Sequence, residues 1–280
     1  NTVYLGIARN FRRYGWLYLL LYGSSPVANS SFARGRDHDM DALNSNDIYK
    51  PYATSLRMGD LGYISHAQDS LNISYNSIED YCAGLKSALE TPYDEYNKIG
   101  EFKGSERIQL NDSIIQIENE YYSTIRPKRV CPSGERPLNV LSNEGIDYLE
   151  LRCIDLNPTS AIGITEEQIY FLDLLILFCF FEDSPEISEQ ESNEIFNNHK
   201  IVVNDGRRSN QSLVMGSLEV SIKDEAIRIL DEMVEIAKFM DEVVTFEDEN
   251  IWMNSLEKQK NTINDYGLSL SESMLNEISN

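Results

Sequence analysis

The chain has 280 residues and a formal net charge of −22, from 46 acids against 24 bases. That balance argues against nonspecific binding to nucleic acid or to anionic membranes, while leaving room for a local cationic pocket. A hydrophobic content of 41% with 25% charged residues is that of a globular protein with one large or two modest domains.

Cys82, Cys131, Cys153 and Cys179 show no CxxC spacing, and the only histidines are His38, His66 and His199. Neither a structural zinc site nor a disulfide framework is expected, and a reducing cytoplasm is the expected setting. No secretory signal is visible. The apolar run Tyr170–Phe181 is shorter than the roughly 20 residues a bilayer needs, and Asp173 interrupts it.

In chain order, Trp16–Tyr22 is an apolar run ending at Gly23-Ser24-Ser25-Pro26, and reads as a buried strand or the end of a helix. Residues 33–50 are polar and read as a loop. After Asn76 the spacing of Ile78, Tyr81, Cys82, Leu85 and Leu89 predicts a helix, with Glu79 completing a capping box and Pro92 following its end. Residues 106–122 and 146–154 read as strands, joined through a Pro/Gly-containing connection at 131–138. Thr165 with Gln168 caps a further helix that stops before Pro185 and is apolar nearly all round, hence buried. From Ser217 onward fifteen acids and five bases accompany Ile222, Ala226, Ile229, Leu230, Met233 and Ile236, an amphipathic helical region with an acidic solvated face.

The run Gln116-Ile-Glu-Asn-Glu-Tyr-Tyr-Ser-Thr-Ile-Arg-Pro-Lys-Arg129 sets two carboxylates and an amide before three cations in four residues. Acids that hold a divalent cation beside bases that hold phosphoryl oxygens suit a metal-bound polyphosphate. Read as a strand, it places Gln116, Glu118, Glu120 and Tyr122 on one face and Asn119 and Tyr121 on the other. Arg126, Lys128 and Arg129 form either a surface turn or, with Pro127 stiffening the backbone, an anion site. In Ile146–Arg152, alternation puts Tyr148, Glu150 and Arg152 on one face and Leu149, Leu151 and Cys153 on the other. Glu150 and Arg152 form either a cross-strand ion pair on a wet face or a shared metal–phosphate contact. Arg57 lies in a loop with Gly59 and Gly62. Neither GxxxxGK[ST] nor GxGxxG occurs. The cysteines read as core packers rather than nucleophiles.

The blocks Pro51–Arg57, Asp60–Tyr63, Tyr81–Lys86, Glu95–Gly100, Gln116–Glu120, Tyr122–Val130, Gly145–Arg152, Asp155–Pro158 and Phe171–Leu174 together resemble the proteobacterial-type glutamate–cysteine ligases. The resemblance is collinear from about Phe11 to Arg208, and beyond Gly216 it is a helical pattern only. It implies an α+β fold of the glutamine-synthetase-like kind, an antiparallel sheet curled around an active-site funnel with helices outside. On that reading 1–210 is a catalytic region and 217–280 an acidic helical region.

The implied activity is ATP-dependent: the glutamate γ-carboxylate becomes a γ-glutamyl phosphate, and the cysteine amine displaces phosphate to give γ-glutamylcysteine, the first intermediate of glutathione synthesis. Mg²⁺ is the implied cofactor and ATP the co-substrate. Carried over residue by residue, Glu150 is a metal ligand, Arg152 holds transferred phosphoryl oxygens, and Arg57 sits opposite. Asn119 seats the glutamate–nucleotide end, against the face count above. Tyr63 and Tyr122 line the cysteine pocket; Arg126, Lys128 and Arg129, from the charge pattern of their own run, are the candidates for phosphate or nucleotide. The partners are then small molecules, not nucleic acid or membrane, with a monomer favoured. The family's N-terminal part, with further acidic metal ligands, and its C-terminal end are missing. The chain therefore reads as an internal fragment that folds poorly and is inactive alone, with Phe171–Phe181 uncovered. The alternatives are a binding module without turnover, or a ligase with another acceptor amine.

Overall fold

A computed structural model of the chain describes residues 1–60, 62, 66–68, 71–244 and 250–279, with the His66 side chain excluded. It opens on two helices, α1 (Thr2–Tyr14) and α2 (Trp16–Tyr22), separated only by Gly15. All seven residues of α2 are buried, so no polar face marks its period, and its sequence left strand and helix undecided. Next come β1 (Val27–Asn29), β2 (Asp41–Ala42) and β3 (Asp47–Tyr49), an antiparallel sheet in the order β1-β3-β2. The expected polar loop at 33–50 thus contributes two strands. Asn44 Oδ1 accepts from the backbone N–H of Asn46 and Asp47 and turns the chain between them.

Helix α3 (Ile78–Glu90) lies where its periodicity predicts, but its cap is Ser77, whose hydroxyl accepts from Asp80 N at 2.9 Å. Asn76, the expected cap, instead exchanges two amide hydrogen bonds with the Ile187 backbone. Helix α4 (Asp94–Ile99) and the hairpin β4 (Phe102–Lys103) and β5 (Glu106–Arg107) follow.

The strand expected over 106–122 ends at Arg107, and Glu118–Glu120 is a 3-10 turn. Local side chains satisfy this backbone: Gln116 Oε1 accepts from Leu110 N at 2.7 Å, and Glu120 Oε2 from Gln116 N at 2.6 Å. Such bonds compete with a β-ladder.

Strand β6 (Ile125–Lys128), helix α5 (Pro137–Glu144) and strand β7 (Tyr148–Leu151) form one unit. Gly145, at φ +86°, makes the sharp turn from α5 toward β7, a conformation that suits glycine. The strands pair antiparallel with Arg126 opposite Glu150 and Lys128 opposite Tyr148. The alternation read from sequence holds: Leu149 and Leu151 pack on the core, Cys153 is fully buried, and Tyr148 is exposed.

Helix α6 (Glu166–Phe181) has the expected Thr165/Gln168 capping box. It is not apolar-buried all round, since Ile169, Phe180 and Phe181 face outward. Its Phe171, Leu174, Leu175, Phe178 and Cys179 are covered, contrary to the expected exposure of the whole run. Asn10 of α1 caps its far end by donating to Cys179 O and Glu182 O, both at 3.0 Å, and Tyr14 meets Phe178 edge-on.

Helix α7 (Glu189–Asp205) leads to the hairpin β8 (Ser212–Met215) and β9 (Leu218–Ser221), whose two-residue turn Gly216-Ser217 has both φ positive. Helices α8 (Ile222–Glu232), α9 (Val234–Val243), α10 (Ile251–Asn264) and α11 (Leu270–Ser279) complete the described structure. Ile222, Ala226, Ile229, Leu230 and Met233 form the buried stripe predicted for them, and they join the same core as Phe11, Leu20 and Phe171. The class is α+β: every ladder between these strands is antiparallel, in separate two- and three-stranded pieces.

Candidate active site

The strand pair β6–β7 shows one wet face, and Arg126, Lys128, Glu150 and Arg152 gather there with Asn119. Arg126 is buried, with its side chain 4% exposed against 36% for Glu150. Its Nε and Nη2 donate to Glu150 Oε2 at 3.1 and 2.7 Å, and its Nη1 donates to the carbonyls of Asn119 and Tyr121. All three nitrogens face protein, so Arg126 is a brace for Glu150 and the 118–121 turn, a different employment from the phosphate contact expected of it. Lys128, two residues on, donates to Asn119 Oδ1 at 3.1 Å. The 3-10 turn thus brings Asn119 to the Lys128 side, which a strand would not.

Arg129 departs from this group: it pairs with Glu144 and Asp147, at 3.0 and 2.9 Å, beside α5. Arg152 follows β7 and is anchored through its own N–H to Thr124 O at 2.8 Å.

Arg57 joins from the other side. Its Nε donates to Asp155 Oδ1 at 2.6 Å, and its Nη2 to the carbonyls of Ile154 and Arg152, at 2.9 and 3.3 Å. Asp155 is 2% exposed and also accepts from Ser24 N and Ser25 Oγ. The Arg57 guanidinium is therefore tied to the chain that carries Arg152. Asp155 belongs to the block Asp155–Pro158, yet nothing local in the sequence marks its partner, which is 98 residues away.

The charges explain the titration of this face. Burial pushes the Glu150 carboxyl up, but the Arg126 hydrogen bonds and the charges of Arg126, Lys128 and Arg152 outweigh it and hold the group below its ordinary range. Burial, together with Arg126 and Arg152, pulls the Lys128 ammonium below its ordinary value, against Glu150 and Glu118. Three cations, Arg126, Lys128 and Arg152, against the two carboxylates Glu150 and Glu118 leave this face net positive, which favours a polyanion.

Among the described residues no three His, Cys, Asp or Glu side chains converge on a metal position. With fewer than three such side chains together, the residues fit Mg²⁺ only as a carboxylate contact, Glu150, to an ion carried largely by phosphate oxygens, the usual habit of that ion.

Tyr122 stands apart from this face, bordering cavities of about 300, 620 and 580 Å³. Gln68 fixes it: its Nε2 donates to Glu120 O at 2.8 Å and its Oε1 accepts from Tyr122 N at 3.0 Å. Gln68 carried no sequence signal. Tyr63 lies outside the described residues.

The family model for glutamate–cysteine ligase matches residues 1–202. The chain belongs to that family. It is 44% identical over 230 residues to the glutamate–cysteine ligase of Pseudomonas putida, covering 82% of this chain and 44% of that one. The Pseudomonas aeruginosa ligase is likewise 44% identical over 230 residues. The chain thus spans less than half the length of these curated relatives. A crystal structure of the glutamate–cysteine ligase from Francisella tularensis in complex with AMP superposes with a TM-score of 0.88 at 30% identity, over 99% of this chain and 58% of that one. That likeness takes in α8–α11, past the end of the family-model match. A bifunctional glutathione synthetase from Pasteurella multocida shares the fold, with a TM-score of 0.67 at 20% identity.

Proposed function

We propose that this chain serves ATP-driven joining of the glutamate γ-carboxylate to the cysteine amine, the first step toward glutathione. The observation that carries the reading is the cationic β6–β7 face, with Glu150 set among Arg126, Lys128 and Arg152, in a chain of this family. A carboxylate oxygen attacks the γ-phosphorus of ATP and ADP leaves. The cysteine nitrogen then attacks the acyl carbon, the C–O bond to phosphate breaks, and the amine loses a proton. Both steps concentrate anionic oxygens, which fixed guanidinium and ammonium groups stabilise.

In this reading Lys128 and Arg152 hold phosphoryl oxygens, Arg57 faces them, and Arg126 acts through Glu150. Asn119 orients the glutamate–nucleotide end, and Tyr122, with Tyr63, borders the acceptor amine. Glu150 would give Mg²⁺ one carboxylate ligand, and the ion when bound draws charge from the phosphate oxygens. AMP in the Francisella relative supports adenine nucleotide as the co-substrate. Four unpaired cysteines support a reducing, cytoplasmic setting, and no described helix is long and apolar enough to cross a membrane.

The test is ADP release and γ-glutamylcysteine detected by mass spectrometry, with glutamate, cysteine and Mg·ATP supplied to the 280-residue chain and to a full-length relative bearing the same strand residues. Glutamate-dependent ADP and dipeptide are expected from the relative, and their absence overturns the substrate assignment. A second reading is a nucleotide-binding module without turnover, which the same cationic face would serve by holding phosphate alone. It predicts Mg·ATP binding by the 280-residue chain with no ADP formed.

A further inference from the structure

The segment that delivers Arg57 is held almost wholly by its backbone, and one buried guanidinium gathers the start of it. Arg207, two residues past α7, is 6% exposed. Its Nη2 donates to Pro51 O at 2.8 Å, its Nε to Ala53 O at 3.2 Å, and its Nη1 pairs with the Glu272 carboxylate of α11. The Arg207 backbone N–H donates to Tyr52 O at 3.2 Å, and the Arg208 guanidinium covers the Tyr52 ring. From there Thr54 N and Ser55 N share Val203 O, Thr54 Oγ1 donates to Val202 O, and His199 Nε2 meets Met58 O. Leu56 N reaches Ser25 O, and Arg57 Nε reaches Asp155.

A planar guanidinium serves two carbonyls and a carboxylate from fixed directions, which an ammonium cannot do. Two carbonyls alone would leave a buried charge uncompensated, and Glu272 supplies the countercharge. Glu272 is itself placed at the start of α11, where its N–H donates to Ser269 Oγ.

We propose that Arg207 is a positioning residue for Arg57 and that Glu272 holds it in place, so that helix α11 sets the geometry of a guanidinium at the candidate active site. Only the link from Arg57 to phosphate rests on the function proposed above.

The experiment is NMR hydrogen exchange on the 280-residue chain, reading the Arg57 Nε–H, assigned with Arg57→Lys, and the Ser55 and Leu56 amides. Variants are Arg207→Lys and the milder Glu272→Gln, each also titrated with Mg·ATP. Faster exchange at Arg57 Nε–H and Leu56, by about fivefold or more in both variants, is expected, with the amides of Ile125 and Leu213 unchanged. Unchanged exchange at Arg57 Nε–H in both variants overturns the proposal, as does equal acceleration at Ile125 and Leu213, the sign of general loosening. Local acceleration with weakened Mg·ATP affinity supports both the positioning role and the function. Local acceleration with unaltered affinity keeps the positioning role and removes Arg57 from the nucleotide site.

Discussion

Arg126 and Glu150 face each other across the β6–β7 ladder, with Nη2 2.7 Å from Oε2, and the buried partner is the cation. That asymmetry decides what each change costs. Arg126→Met leaves the carbonyls of Asn119 and Tyr121 without their donor and strands Glu150, and should destabilise the fold by about 3 kcal/mol. Glu150→Gln keeps an oxygen for Arg126 but removes the countercharge of a buried guanidinium. It should cost about 2 kcal/mol, less than Arg126→Met because an acceptor and both carbonyl contacts remain. Because the Glu150 carboxyl lies below its ordinary 4.5 in the folded chain, its contribution is present above that pH and is lost as pH falls through the lower folded value. Urea denaturation of both variants at pH 7 and pH 4 checks the ranking. A Glu150 variant less stable than the Arg126 variant at pH 7 would reverse the reading.

Lys128 and Arg152 are read as anion contacts, so their loss should alter binding and rate more than stability. Lys128→Gln should weaken Mg·ATP binding by about tenfold at low salt and flatten its salt dependence, since one charge near the anion is gone. Arg152→Lys in a full-length relative should lower kcat by about a hundredfold, because an ammonium cannot reproduce a bidentate fork on the transferred phosphoryl group. Full activity in both variants would mark the face as an ordinary ion-pair surface.

Helix α6 was legible because a cap is local: Thr165 and Gln168 bond within one turn, and the helix begins where they place it, whereas at α3 the cap fell one residue later, on Ser77. Alternation over Tyr148–Cys153 was equally local, and it placed Glu150 and Arg152 on a common face. Residues 116–122 misled for the converse reason. Their period-two polarity comes from Gln116 and Glu120 bonding nearby backbone, not from a pleated surface. The partner of Glu150 was not legible, since the register of two strands joined through α5 leaves no mark in either strand. Gln68 and Arg207 were invisible too: both act through backbone carbonyls, which every sequence provides.

Tyr122 gives a test of the acceptor end. It borders three cavities and is pinned by Gln68. In a full-length relative, Tyr122→Ala should raise KM for cysteine by about tenfold while Tyr122→Phe stays near wild type, because the ring supplies apolar contact for a thiol. Steady-state kinetics with glutamate and ATP saturating reads the effect. A larger shift in KM for ATP than for cysteine would move Tyr122 to the nucleotide.

His199 provides a pH test independent of catalysis. It sits on α7 with Nε2 3.2 Å from Met58 O, and burial, with Lys200 beside it, holds its pKa below the ordinary 6.5. The neutral ring donates to that carbonyl and so supports the turn carrying Arg57. Above pH 6.5 the group is neutral in both folded and unfolded chains and adds no pH dependence. Below it the unfolded chain takes up a proton that the folded chain refuses, so stability falls as pH drops toward the folded value, by at most about 1.4 kcal/mol per pH unit. Denaturation midpoints measured between pH 8 and pH 5 should show this decline, and His199→Gln, which keeps a donor without a titrating ring, should remove most of it. An equal decline in His199→Gln would assign the acid sensitivity to the carboxylates instead.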